Sequence, residues 1–327
     1  MTVRAQRIGL ALGSGAARGW AHIGVIRALE AAGIVPEIVC GSSVGAIVGA
    51  AYASGKLDAF ESWVRGLERG AVLRNLDLSF RGGLLKGTQF FAFMSPELPD
   101  IDIDSLPRAF GAVATDLETG HEVWIREGSL HDALRASVSM PGLITPTARN
   151  GRWLVDGGLV NPVPISLCRA MGADFVVAVD LNTTLLQRKL SPQSQSSAAS
   201  EASERDEPLP MSTDHASDIA TEASRLRLAI EDWARELRSR IAGADSQDVK
   251  GPPSLYEVMA NSLNIMQVRI TRSRMAGDPA DLLVTPRLTD FALLDLDRGA
   301  EAIEEGLRAT KRALAIAAHV ETRDSSP

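Results

Sequence analysis

The segment Gly-Ser-Ser-Val-Gly at residues 41–45 constrains the fold of this chain more than any other. A short, β-branched apolar run precedes it at 34–40, and an alanine-rich run follows it at 46–53. The first run is typical of a buried strand and the second of a helix, so the segment must turn the chain sharply between them. Ser43 is predicted at the tip of that turn.

In a strand–turn–helix setting, the spacing G-x-S-x-G indicates a nucleophile elbow, which holds a serine hydroxyl clear of the sheet. Gly41 and Gly45 suit such a turn because a Cβ at either position would collide with the neighbouring strand or helix. The following helix directs its first N–H groups toward the reacting centre, where negative charge develops. Ser43 is therefore the candidate nucleophile. The alternative is a non-catalytic glycine-serine turn, which would have the same sequence pattern.

An attacking serine also needs donors that hold the developing oxyanion. The small-residue segment 13–19 is predicted to leave the first strand, 7–12, at the edge of the sheet that carries the elbow. Its backbone N–H groups can approach a substrate closely because its side chains are small. Gly15 and Ala16 are the main candidate donors of an oxyanion hole, with Ser14 in support.

The same segment has a second interpretation, the glycine-rich loop that opens a dinucleotide-binding fold. Gly13, Gly15 and Gly19 miss the G-x-G-x-x-G spacing, and Cys40 stands where an acidic residue is expected. A dinucleotide-binding enzyme is therefore the less favoured alternative. Arg18 is expected either to stabilise the segment or to meet a phosphate head group.

The catalytic base is harder to assign from the residues alone. Five histidines are scattered along the chain, at His22, His121, His131, His215 and His319. None stands in a late loop suited to a Ser-His-Asp triad, and His22 is kept only as a candidate for a supporting role. Asp156 ends a short predicted strand and precedes Gly157 and Gly158, which let its carboxylate approach another backbone closely. A Ser–Asp dyad would need no histidine.

The predicted elements begin in the order β-α-β-α, which favours an α/β fold with a mainly parallel sheet and helices on both faces. Residues 8–186 are expected to form the catalytic core. Residues 187–220 are rich in Ser, Ala, Gln and Glu and poor in large apolar residues, so a flexible insertion is predicted. Residues 221–327 are expected to be a helical extension whose late strand, 281–284, completes the same domain.

Two overlapping segments are expected near the site, with ordinary packing as the alternative to a lid, and a later segment is expected to pack on the core. Residues 71–104, which contain a cluster of phenylalanines, are a candidate lid, and 81–87 are predicted to be a loop near the pocket mouth. Apolar residues recurring at helical spacing from 255 to 270 predict a core-facing helix.

Composition narrows the classes of partner. The 327 residues carry a formal net charge of −7, which gives no indication of a nucleic-acid partner. No metal-ligand spacing is present in the sequence, and neither a metal nor a cofactor is expected. Cys40 and Cys168 lie in apolar runs and are predicted to be buried free thiols. The first residues lack the apolar run of a signal peptide, so we expect a cytoplasmic protein with at most peripheral membrane contact.

Three motifs now stand in order, at residues 13–19, 41–45 and 156–158. Together they resemble the patatin-like phospholipase family, and in particular its bacterial branch related to the catalytic domain of neuropathy target esterase. The likeness covers about residues 8 to 180 and extends more weakly to the late strand and the final helix.

The resemblance implies a three-layer α/β/α sandwich and a Ser–Asp dyad. It implies that Ser43 is the nucleophile, Asp156 the base and the segment 13–19 the oxyanion hole, and that the substrates are acyl esters of lipids. Ser14 and Ala16 depart from the family, whose loop is often all glycine at these positions. The rival hypothesis is a regulatory or adaptor protein that keeps this fold without hydrolysing anything.

Overall fold

The computed structural model describes residues 6–74, 83–85, 87–184 and 255–324. The predicted insertion at 187–220 lies outside the described residues, as does His215. The described part contains ten strands: β1 (Ile8–Leu12), β2 (Ile38–Ser42), β3 (Gly83–Leu85), β4 (Ala109–Asp116), β5 (Glu122–Ile125), β6 (Gly142–Ile144), β7 (Thr147–Arg149), β8 (Arg152–Asp156), β9 (Phe175–Val179) and β10 (Leu282–Val284).

Nine α-helices lie between and after these strands in the same part of the chain: α1 (Ala21–Ala31), α2 (Val44–Ala53), α3 (Leu57–Arg65), α4 (Arg69–Arg74), α5 (Thr88–Met94), α6 (Leu130–Val138), α7 (Ile165–Ala170), α8 (Leu255–Gly277) and α9 (Gly299–Asp324). Most of the predicted elements are confirmed, including the helix after the elbow and the late strand. None of the described helices is both long enough and apolar enough to cross a membrane.

Eight strands form one sheet in the order β10-β9-β1-β2-β4-β8-β7, with β5 paired to β4 off this path. The five strands from β10 to β4 run parallel, whereas β5, β8 and β7 are antiparallel to their neighbours. Short β-branched and alanine-rich runs suit strands that are covered on both faces. The predicted mainly parallel sheet is confirmed.

Side chains alternate between the two faces of the sheet and fill two separate cores. Leu10 and Leu12 of β1 join the larger core, under α1, α2 and α9, whereas Ala11 joins the smaller core under α7. This gives the three α/β/α layers that the resemblance implies. The C-terminal helix α9 packs against α1 so closely that a Cβ at Gly24 would overlap the carbonyl oxygen of Ile303.

Three expectations about local structure are wrong. Residues 83–85, predicted to lie in a loop, form β3, which pairs in parallel with β6. The segment 13–19 is not entirely irregular, because a 3-10 turn begins at Ala16.

The third correction concerns α8, whose apolar stripe was expected to face the core. Val258 and Met266 are 45% and 46% exposed, while the polar Gln267 and Thr271 are buried. Gln267 is buried because it accepts hydrogen bonds from Ser14 and Asn182, and the apolar residue buried beside it in the helix is Val268.

Candidate active site

Strand pairing brings Ser43 and Asp156 together although 113 residues separate them in sequence. Along one edge of β4, β2 is paired as far as Ser42 opposite Val113. On the same edge β8 takes over at the next residue, with Asp156 opposite Ala114. The end of the elbow strand and the end of the aspartate strand therefore meet at one point of the sheet.

The elbow turn is strained in the way its sequence predicts. Ser43 has φ 56° and ψ −128°, a conformation that costs a non-glycine residue about 1–3 kcal/mol. A Cβ at Gly41 would overlap the backbone of Ala46, and one at Gly45 would overlap the carbonyl oxygen of Leu12. Only glycine at both positions lets β2 pass into α2 with the serine hydroxyl free of the backbone.

The hydroxyl of Ser43 donates a hydrogen bond of 2.6 Å to Oδ2 of Asp156. The N–H of Ser43 donates to the hydroxyl of Ser137 at 2.9 Å, a buried contact that supports the turn. Both members of the pair are nearly inaccessible, with Ser43 5% and Asp156 1% exposed. The arrangement places an acceptor for the serine proton at hydrogen-bond distance.

Burial raises the pKa of Asp156 from its usual 3.8 to about 6, and hydrogen bonds from Ser43 and from the N–H of Gly158 oppose that rise. The Gly158 N–H donates to Oδ1 at 2.7 Å, so the two carboxylate oxygens have different partners. The backbone of Asp156 is held by Ser139 and Thr115. A Cβ at Gly157 would overlap the carbonyl oxygen of Val113, which explains the first glycine of the pair.

The segment 13–19 lies beside this pair with most of its N–H groups already in hydrogen bonds. Gly13 donates to Val179 and Ala17 to Leu293, both at 3.1 Å. The N–H groups of Gly15 and Ala16 have no acceptor among the described residues. These are the two main donors that the sequence predicts.

Ser14 does not fit its predicted supporting role in the oxyanion hole, because its N–H donates to the carbonyl oxygen of Pro162 at 2.8 Å. Its hydroxyl points away from the solvent and donates to Gln267 at 3.1 Å. Arg18 is buried and donates to Asn182 at 3.1 Å, which is the stabilising one of its two expected roles.

Asn182 and Gln267 are polar residues near the site that the sequence interpretation missed. Asn182 follows β9, the neighbour of β1 in the sheet, and parallel strands end at a common edge. That rule could have singled out Asn182. Gln267 had no such signal, since it lies inside a helix more than 80 residues further along the chain.

The described histidines take no part in the Ser43–Asp156 pair. His22 lies at 2.7 Å from the carbonyl oxygen of Gly13, and burial lowers the pKa of His22 to about 4. It is therefore neutral at physiological pH and donates its Nε2 proton to Gly13, which supports the small-residue segment. His131 contacts the carbonyl oxygen of Leu98.

An apolar cavity opens beside Ser43. Its wall is formed by Ser43 and by mostly apolar residues of five chain segments: Ala16, Ala17, Trp20, Val44, Ile47, Gly87, Phe90, Phe91, Val138, Met140, Leu143, Ile144, Leu293, Leu294 and Leu296. Helix α5, part of the candidate lid, supplies both phenylalanines. Residues 75–82 and 86 lie outside the described residues, so the lid itself stays a prediction.

Two other sequence expectations concern chemistry outside this pair. Cys40 and Cys168 are buried free thiols, as predicted. In the described ranges, no group of three or more His, Cys, Asp or Glu side chains could hold a metal ion.

Comparison with known proteins gives the family. A family model described as patatin-like phospholipase matches residues 10–169. An uncharacterized NTE family protein of Mycobacterium tuberculosis is 34% identical over 333 residues, which cover 94% of this chain and 91% of that protein. The mouse patatin-like phospholipase domain-containing protein 7 is 33% identical over 186 residues, which cover 54% of this chain and 14% of that protein.

These similarities confirm the resemblance that the three motifs indicate, and they support a lipid esterase or phospholipase activity. They span both the motif-bearing core and, in the mycobacterial relative, nearly the whole chain. The chain belongs to the patatin-like phospholipase family, with NTE family proteins among its relatives.

Proposed function

We propose that this protein hydrolyses acyl esters of lipids by a Ser43–Asp156 dyad through an acyl-enzyme. The observation that carries the proposal is the 2.6 Å hydrogen bond between two buried groups, one of which, Ser43, lines an apolar cavity. Oδ1 of Asp156 caps the turn at Gly158, which leaves the contact of Oδ2 with a serine hydroxyl in a strained turn without an evident structural use. It has a direct catalytic one.

In the first half of the reaction, Oγ of Ser43 attacks the ester carbonyl carbon and its proton passes to Oδ2 of Asp156. The carbonyl oxygen becomes an oxyanion, which accepts hydrogen bonds from the N–H groups of Gly15 and Ala16. The tetrahedral intermediate then collapses. The alcohol leaves with the proton from Asp156, and the acyl group stays on Ser43.

In the second half, a water molecule attacks the acyl-enzyme and gives its proton to Asp156. Collapse returns that proton to Ser43 and releases the carboxylic acid. A pKa near 6 makes the Asp156 carboxylate a stronger base than an ordinary aspartate, while leaving it ionised at neutral pH.

The cavity supports an acyl chain as the group beside the nucleophile. Phe90 and Phe91 from α5, Leu143 and Ile144 from around β6, and Leu294 before α9 offer apolar contact without a charged side chain. A polar head group would be desolvated there without a partner, so it is expected to face outward.

The decisive experiment is labelling with a fluorophosphonate probe, with the modified residue identified by mass spectrometry. We expect the label on Ser43, and its loss in Ser43→Ala and Asp156→Asn. Ser42→Ala is the matched control, because Ser42 is an adjacent buried serine of the same motif and has no hydrogen-bond partner among the described residues. It should keep the label.

Turnover of a fluorescent lipid ester should follow the same order of variants. Retained hydrolysis in Ser43→Ala or Asp156→Asn would refute the dyad. A folded wild-type protein that neither takes the label nor turns over ester would instead favour the regulatory or adaptor hypothesis.

A further inference from the structure

We propose that Asn182 is a positioning residue of the oxyanion hole, because its amide holds the peptide group between Ser14 and Gly15. The inference rests on the proposed hydrolase function and adds a residue to it. It starts from the two N–H groups, those of Gly15 and Ala16, that remain without an acceptor among the described residues.

Each of these two N–H groups belongs to a peptide unit whose carbonyl oxygen is held. The Ala16 N–H shares its peptide with the carbonyl of Gly15, which accepts from the N–H of Arg18 at 3.2 Å. The Gly15 N–H shares its peptide with the carbonyl of Ser14, which accepts from Nδ2 of Asn182 at 3.1 Å. The second contact is the only one of the two made by a side chain.

A hydrogen bond to the carbonyl of a peptide controls the N–H of the same peptide. The unit is planar, so fixing the oxygen of Ser14 fixes the direction of the Gly15 N–H. The bond also polarises the peptide and strengthens its N–H as a donor, since linked hydrogen bonds reinforce one another. Asn182 thus acts on the oxyanion through Gly15, without touching substrate.

The orientation of the Asn182 amide is determined by its neighbours. A guanidinium group only donates, so the amide atom that Arg18 contacts at 3.1 Å must be the oxygen. The nitrogen then faces the Ser14 carbonyl. It also donates to Oε1 of Gln267 at 2.9 Å, and the same oxygen accepts from the Ser14 hydroxyl.

The surroundings of Asn182 keep this arrangement rigid. Asn182 is 1% exposed, and its own N–H donates to Oδ1 of Asp180 at 2.8 Å, at the end of β9. Gln267 extends to the loop that follows Asp156, where a Cβ at Gly158 would lie 2.6 Å from Nε2 of Gln267. One buried amide cluster therefore spans the hole and the loop of Asp156.

The test is Asn182→Asp at pH 8. This change keeps the volume and the oxygen that faces Arg18, and it replaces the donor that faces Ser14 by an acceptor. Deleting an oxyanion-hole donor lowers kcat by about 10²–10³-fold, so misdirecting one should lower kcat/KM for a soluble p-nitrophenyl ester by about 10–100-fold. The loss should fall on kcat, with KM within about twofold.

Asn264→Asp is the matched control. Asn264 also accepts from Nη2 of Arg18, at 3.2 Å, and within the described part of the chain it makes no other hydrogen bond to the segment 13–19. The same amide-to-acid change beside the same guanidinium should leave kcat/KM within about twofold of wild type, because the Ser14–Gly15 peptide is untouched.

A transition-state analogue distinguishes a positioning role of Asn182 in the oxyanion hole from a general loss of order in the site. Ser43 adds to the carbonyl carbon of an alkyl trifluoromethyl ketone, its proton passes to Asp156, and the ketone oxygen becomes an oxyanion in the hole. The matched methyl ketone stays trigonal. In Asn182→Asp the trifluoromethyl ketone should bind more weakly by the factor that kcat/KM loses, and the methyl ketone should bind as in wild type.

The inference fails if Asn182→Asp keeps wild-type kcat/KM, or if both ketones weaken equally. If the acid variant does not fold, Asn182→Ala undergoes the same pair of measurements, with folding checked by its thermal transition. A wild-type protein that shows no turnover and no labelling refutes the hydrolase function itself, and that outcome is visible before any Asn182 variant is compared.

Discussion

Asp156 connects the pH dependence of the reaction to a single buried group. The base accepts the Ser43 proton only as a carboxylate, and burial raises its pKa to about 6. We therefore expect kcat/KM to rise about tenfold per pH unit below about pH 6 and to level off above it. Initial rates with a non-ionising ester between about pH 4.5 and 8 measure this directly. A flat profile across about pH 5 to 7 would contradict the assignment of Asp156 as the base.

The same group makes the active site a source of instability. Because the folded-state pKa of Asp156 lies above its unfolded value, the folded protein binds the proton more tightly, and stability falls as the pH rises from about 4 through about 6. At neutral pH the difference corresponds to about 3 kcal/mol. Asp156→Asn should therefore raise the free energy of unfolding at about pH 8 while abolishing turnover, and the gain should shrink toward about pH 4.

Denaturant unfolding of both proteins at several pH values measures this gain. Glu301→Gln is a suitable control, because Glu301 is an exposed carboxyl whose pKa is lowered by Arg298, the opposite direction. A gain in Asp156→Asn that does not depend on pH would mean that the buried charge is not its cause.

At the residue scale, the site residues that lie in short motifs were predictable from the sequence. The site residues that are defined by contacts with distant parts of the chain were not. Ser43 and Asp156 have glycine neighbours in the sequence that have no room for a Cβ. The structure places the two side chains in contact. The roles assigned to them stay predictions. Gln267 could not be found because its partners Asn182 and Ser14 lie 85 and 253 residues away along the chain. The role predicted for Ser14 does not fit because its N–H donates to Pro162, which is also remote in sequence.

At the scale of elements, the contact between α1 and α9 depends on two glycines. A Cβ at Gly24 would overlap the carbonyl oxygen of Ile303, and one at Gly306 would overlap that of Ala21. Overpacking a core contact destabilises proteins by about 1–3 kcal/mol, and the helix propensity of alanine recovers at most ~1 kcal/mol. We expect Gly24→Ala and Gly306→Ala each to lower the free energy of unfolding.

Gly277→Ala is the control for these two variants. Gly277 ends α8, and a Cβ there would meet nothing within 4 Å. Its effect on urea unfolding should stay within about 0.5 kcal/mol. Equal effects at all three positions would mean that Gly24 and Gly306 are not needed for the close contact between α1 and α9.

Elements were predictable where one local pattern decides them. The parallel strands are short apolar runs, and α9 shows a continuous stripe whose members Ile303 and Thr310 are buried. Helix α8 misled because its exposed apolar residues have helical spacing too, and periodicity alone does not say which face is inside. The pairing of β3 with β6 joins two three-residue segments. Such segments are too short to show the alternation of apolar and polar residues that predicts a strand.

At the scale of the molecule, the late elements are expected to be indispensable, although the family match ends at residue 169. Strand β10 covers the outer edge of β9, α9 covers α1, and Leu293, Leu294 and Leu296 between them wall the cavity. A chain ending at residue 280 should therefore show no cooperative unfolding transition and take no fluorophosphonate label. Labelling of Ser43 in that shortened chain would contradict this.

The shared edge of β4 has a consequence for the time at which activity appears. Ser43 leaves the ribosome 113 residues before Asp156, so a growing chain carries the proposed nucleophile without the proposed base. The pair forms only when β8 docks beyond the end of β2, a contact of large sequence separation and therefore slow to form. The recovery of ester turnover during refolding would thus measure the docking of β8. A partly folded chain in which β8 has not docked should show no esterase activity.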